Sequence, residues 1–109
     1  MKKIILILVS TLLVCACSSK KDLKTLMQEN EYIIVDVRTK DEYADSHVVD
    51  SINIPYDEID ENSNLSKEKI IFVYCKSGKR SKIAYDKLKK LGYIVYDLGA
   101  YDDIDLEKE

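Results

Sequence analysis

The sequence predicts an α/β domain, a small and mostly parallel sheet with helices on both faces. Three observations predict it. Two β-branched apolar runs, Tyr32 to Val37 and Ile70 to Tyr74, read as buried strands. Stretches of helical periodicity alternate with them. The second run stops at Cys75, followed by a short loop with a glycine in its middle and then an amphipathic stretch. In sheets of this kind sites lie at the carboxyl ends of strands, and Cys75 falls there.

Each element has a local reason. Asp22 is placed to cap a helix to about Glu29, with Leu23, Leu26 and Met27 on one face and Asn30 stopping it. The strand from Tyr32 to Val37 is interrupted in apolarity only by Asp36. Thr39 caps a short helix through about Ala44, and Glu42 three residues on completes a capping box. Ser51 to Ile54 is a short strand that Pro55 ends, and Tyr56 to Ile59 is one helical turn. Glu61 to Ser66 is polar loop. Lys69 to Tyr74 is the second long strand, expected at the centre of the sheet. The next helix is expected from about Arg80 to Leu91. Ala84, Leu88 and Leu91 recur at helical spacing with Ile83 beside them, while Lys82, Asp86, Lys87, Lys89 and Lys90 face water. Gly92 is its expected C-cap. Tyr93 to Tyr96 is a further strand, Gly99 to Ile104 a turn or short helix, and the remainder to Glu109 an acidic tail.

The stretch Cys75-Lys76-Ser77-Gly78-Lys79-Arg80-Ser81 carries the chemistry. Loop amides and the free N–H groups of a helix's first turn converge at such a strand–loop–helix junction. With Lys76, Lys79 and Arg80 nearby, every feature favours thiolate over thiol at Cys75. The plainer alternative is a buried structural cysteine.

The amino terminus reads as an export signal. Lys2 and Lys3 precede an apolar stretch, Ile4 to Val14, that is too short to span a bilayer comfortably. It runs into Val14-Cys15-Ala16-Cys17, which resembles the lipobox of bacterial lipoproteins, with Cys17 as the lipidated residue. Residues 1–16 are then a signal peptide, 17–21 the lipidated cysteine and a short tether, and 22–109 the domain. The expected location is the cell-envelope membrane, with the domain facing outward and held through lipid on Cys17. An uncleaved anchor helix is the alternative. Of three cysteines, Cys75 alone then remains free, which flags a reactive thiol.

Composition narrows the partners. Seventeen Lys and Arg stand against twenty Asp and Glu, net −3, so nothing points to nucleic acid. His47 is the single histidine and has no second histidine or free cysteine to share a metal, so no metal and no cofactor are expected. Asp57, Glu58, Asp60 and Glu61 form an acidic run that suits either water or a basic partner.

Two stretches together resemble a rhodanese domain. The first runs from Ile34-Val35-Asp36-Val37-Arg38 through Glu42-Tyr43 and His47 to Asn53-Ile54-Pro55; the second is the loop from Cys75 to Ser81. Asp97-Leu98-Gly99-Ala100 resembles the family's closing stretch. Ser46, Asp50-Ser51 and Ala100 stand where the family usually has glycine, Gly-Ala and glycine. The resemblance implies a rhodanese-like fold and a sulfurtransferase. Cys75 would take a sulfane sulfur as a persulfide. The backbone from Lys76 through Ser77, Gly78 and Lys79 to Arg80 would cradle it, and the three cations would attract a small anionic donor such as thiosulfate. A thiol or cyanide would accept the sulfur. Asp36, Arg38 and His47 read as structural support, with His47 a packing histidine before a base. A persulfide relay serving a protein partner uses the same residues. A cysteine phosphatase or arsenate-reductase-like enzyme is a third reading, which the four residues between Cys75 and Arg80 disfavour, because phosphatase-like loops have five.

Overall fold

The structure is a computed structural model and describes residues 22–109. The expected signal peptide, Cys17 and tether lie outside the described residues. In chain order the elements are α1 (Leu23–Glu29), β1 (Tyr32–Asp36), α2 (Lys40–Asp45), β2 (Ile52–Asn53), a 3-10 turn (Tyr56–Glu58), β3 (Ile70–Cys75), α3 (Lys79–Lys90), β4 (Val95–Ala100) and a second 3-10 turn (Tyr101–Asp103). The four strands form one parallel sheet in the order β2-β1-β3-β4.

β3 lies inside the sheet and all six of its residues are buried. Side chains alternate across a strand, so its two faces are distinct. Ile71, Val73 and Cys75 join Val35 and Val95 of the sheet and Val37 just beyond β1, and meet Ala84 and Leu88 of α3. Ile70, Phe72 and Tyr74 point the other way and pack with Ile34, Val48, Ile104 and Leu26 of α1. Helices therefore cover both faces. Fully burying residues such as Ile71, Phe72 and Val73 contributes about 1.5–3 kcal/mol each.

Local chemistry sets the helix ends. Asp22 accepts a bond from the Thr25 N–H at 2.9 Å. Thr39 and Glu42 complete the capping box on α2. At the end of α3, the Gly92 N–H donates to Lys89 and the Tyr93 N–H to Leu88. This paired closure needs the left-handed backbone of Gly92, at φ 97°. Asp50, standing where rhodanese domains usually have glycine, adopts φ 69° and keeps a glycine-like turn.

Four expectations need correction. The last strand begins at Val95, not Tyr93, and runs to Ala100 through a register shift against β3 between Val73 and Tyr74. Gly99, at φ 81°, belongs to that irregular strand instead of the following turn. Ile83 is 45% exposed; it lies on the outer side of α3, a quarter turn from the buried stripe. Lys87 is half-buried and donates to the Tyr56 carbonyl at 2.9 Å.

The acidic tail folds back on the domain. His47 and Glu109 exchange backbone hydrogen bonds at 2.9 and 2.8 Å, and the Val49 N–H donates to Glu107. Val48 and Lys108 thereby form an antiparallel bridge.

Candidate active site

Alternation along β3 turns the Cys75 side chain toward α3, and the strand ends there. The chain then reverses through Lys76, Ser77 and Gly78 and enters α3 at Lys79. Gly78 is the N-cap, at φ 99°, a conformation that a side chain would strain. That geometry aims the Gly78 N–H at the Cys75 sulfur, with N to Sγ at 2.9 Å.

Cys75 is buried. Burial pushes its thiol up. Opposing this are the nearby donors, the hydroxyl and N–H of Ser81 and the N–H groups of Gly78 and Ser77, which favour the anion and hold the thiol below its ordinary range. The fully buried Ser81 hydroxyl also lies 3.1 Å from the Gly78 carbonyl oxygen. It has one proton and two acceptors within reach, so it can turn to the sulfur when the sulfur is anionic.

Sequence reasoning gave the acidity of Cys75 partly to three cations; in the structure hydrogen-bond donors supply the lowering. Ser81 was not among the expected site residues, although its place in the first turn of the helix is visible in the sequence. Of the three cations, Arg80 shares an electrostatic interaction with Cys75. Lys76 and Lys79 are exposed and make no ion pair among the described residues.

Arg80 has a partner that sequence reasoning missed. Its Nη1 and Nη2 donate to Oε1 and Oε2 of Glu42 at 2.8 and 3.1 Å. The guanidinium and the Thr39 contacts hold the Glu42 carboxyl down to about 2. Nothing in local periodicity announces a pair 38 residues apart. A cleft of about 210 Å³ opens beside Arg80, between Val37, Pro55, Tyr56 and Asp57.

Asp36 is turned toward Tyr74 and paired there with Arg38, which also lines the cleft beside Arg80. Arg38 Nε lies 2.9 and 3.0 Å from the two Asp36 carboxylate oxygens, and Nη2 is 2.6 Å from Oδ2. Nη2 also donates to the Ser46 carbonyl at 2.7 Å. The Tyr74 hydroxyl donates to Asp36 at 2.8 Å and accepts the Val48 N–H at 3.0 Å. The Arg38 guanidinium sits over the Tyr101 ring at 4.5 Å. His47 is distant in role from the sulfur: its ring stacks on Tyr43 at 3.9 Å, Nδ1 meets the Tyr43 carbonyl at 2.8 Å, and Nε2 lies 3.2 Å from Glu109.

A buried thiol at the end of a parallel strand, with an N–H donor on its sulfur and its acidity raised, suits nucleophilic chemistry. The Rhodanese-like domain family matches residues 19–104, and the chain belongs to that family. It is 35% identical over 78 residues to the thiosulfate sulfurtransferase PspE of Escherichia coli, a match spanning 68% of this chain and 75% of that protein. It is 41% identical over 63 residues to a probable molybdopterin-synthase adenylyltransferase of Porphyra purpurea, covering 55% of this chain but 16% of the relative. Among solved structures, a rhodanese with anions from E. coli superposes with a TM-score of 0.66 at 33% identity, over 72% of this chain and 96% of that one.

Proposed function

We propose that the protein is a rhodanese-type sulfurtransferase that carries sulfur on Cys75. The observation that supports this most is the Gly78 N–H on the Cys75 sulfur at 2.9 Å, joined by donors from Ser77 and Ser81. Such donors stabilise the attacking thiolate, and the loop amides can likewise hold charge on an outer sulfur.

The reaction follows from that arrangement. The Cys75 thiolate attacks the outer sulfur of thiosulfate. A sulfur–sulfur bond forms to Cys75, the bond to the sulfonate group breaks, and its electron pair leaves as sulfite. A nucleophilic acceptor, cyanide or a thiol, then attacks the outer sulfur and releases Cys75 as thiolate. The donors around Cys75 favour the thiolate, so the site lowers the demand for a separate base.

Intact mass after incubation with thiosulfate tests the first half. Wild type should gain one sulfur atom on Cys75 and lose it to cyanide over repeated turnovers. A sulfur loaded once and never turned over would replace the enzyme by a carrier. A protein that takes up no sulfur would overturn the reading.

The membrane anchor is a separate proposal, supported by Val14-Cys15-Ala16-Cys17. Cys17→Ala should abolish diacylglycerol labelling in the native host. Labelling that persists would exclude Cys17 as the anchor.

A further inference from the structure

Glu42 is tied more closely than a helix cap requires. It is the third residue of α2, and its Oε1 accepts from the Thr39 N–H and the Thr39 hydroxyl, each at 3.1 Å. Those contacts complete the capping box, and a neutral glutamine would make them equally well. The second oxygen, Oε2, receives Arg80 at 3.1 Å, while Oε1 also takes Arg80 at 2.8 Å. The formal charge and the second oxygen therefore serve Arg80.

The pair is not a loose surface contact. The two side chains are 29% and 28% exposed, and the carboxylate is held from behind by Thr39. Two parallel N–H bonds fix the plane of a guanidinium as one bond does not. Arg80 is the second residue of α3 and interacts electrostatically with the Cys75 sulfur. Lys76 and Lys79 flank the same loop and have no such carboxylate partner among the described residues.

We propose that Glu42 is a positioning residue of this site: it fixes the Arg80 guanidinium at the start of α3, where the Cys75 loop ends, and offsets its charge, leaving Lys76 and Lys79 to meet an anionic donor. The donor part rests on the sulfurtransferase reading; the placement and charge of Arg80 do not.

Two alkylating reagents of nearly equal size separate these claims. Iodoacetate is an anion and iodoacetamide is neutral, and the ratio of their rates at Cys75 reports the charge around the sulfur. The full chain is alkylated and the Cys75 peptide is quantified by mass. Glu42→Gln keeps the cap and removes the charge, so the ratio should rise about threefold. With thiosulfate, kcat should fall about tenfold as the guanidinium loses its fixed place. Thr39→Ala, which breaks the cap alone, should lower the melting temperature and leave the ratio unchanged. Paired Lys76→Ala and Lys79→Ala substitutions should lower the ratio and raise KM.

An unchanged ratio in folded Glu42→Gln overturns the charge offset, and an unchanged kcat overturns the positioning. Should Glu42→Gln fail to fold, Arg80→Gln removes the same pair from the other side. The ratio should then fall, and a constant ratio would overturn the proposal. Wild type inert toward thiosulfate would overturn the sulfurtransferase reading, while the alkylation ratio would still test Glu42.

Discussion

Tyr74 and Cys75 are neighbours in one strand, both buried, both weak acids, and driven in opposite directions. Burial pushes the Tyr74 hydroxyl up to about 12, while Cys75 falls below the ordinary thiol range. The strand's alternation separates them. Tyr74 faces Asp36, whose carboxylate accepts its hydrogen bond, so the neutral phenol is favoured. Cys75 faces N–H and O–H donors, so the anion is favoured. Burial alone therefore does not set the acidity of a buried group. The hydrogen-bonding sign of its neighbours decides, and one residue of register separates a raised hydroxyl from a lowered thiol.

The comparison can be broken most completely at Cys75. Cys75→Ser keeps the strand and loop but replaces the thiolate by a hydroxyl that stays protonated, so sulfur transfer should disappear while the melting temperature stays near wild type. Transfer assays with thiosulfate and cyanide check this, and residual transfer would sink the mechanism.

On the other face the largest expected loss is in stability. Arg38→Ala would leave the Asp36 carboxylate buried without its cation, at about 3–5 kcal/mol. Denaturant unfolding measures it, and the pH dependence of Cys75 alkylation should stay unchanged in the folded variant. A shifted alkylation profile would mean that the two faces are coupled.

Tyr74→Phe should cost less, about 1–3 kcal/mol, by stripping a donor from Asp36 and an acceptor from the Val48 N–H. It should also change the alkaline limb. The raised Tyr74 pKa gives wild type a stability contribution fully present below about 10 and lost as pH rises through about 12. Unfolding curves across that window should show a steeper loss in wild type than in the phenylalanine variant.

The smallest expected effect is at Ser81. Ser81→Ala removes one donor from the sulfur, so the midpoint of alkylation against pH should move upward. In wild type the rate falls as pH falls through the lowered thiol value. By linkage, the stability from Cys75 is present above the unfolded thiol value and lost as pH falls through the folded one. An unmoved midpoint would assign the lowering to the backbone amides alone.

Much of this was legible because the signals are local. Unbroken β-branched runs specified β1 and β3, Thr39 and Glu42 specified a cap, and the cysteine–glycine–arginine spacing specified the loop. What escaped was non-local or irregular. The Glu42–Arg80 pair joins the starts of two helices 38 residues apart in the chain. The Ser81 contact depends on the pitch of the first helical turn. β4 was displaced because Gly99 looks like a turn residue in a sequence, whereas here it accommodates a register shift at a sheet edge. Ile83 shows that an apolar residue near a buried stripe need not belong to it.

The bridge between Val48 and Lys108 has a consequence for the order of events in folding. The residues it brings together, His47 and Glu109, stand 62 apart, whereas the sulfur and its donors lie within a single strand–loop–helix passage. Closing a long loop costs more entropy than closing a short one, and distant contacts form late. The reactive cradle can thus assemble while the last segment is still free, and that segment fastens afterwards. In native-state hydrogen exchange the amides of His47, Val49 and Glu109 should release together, before those of β3.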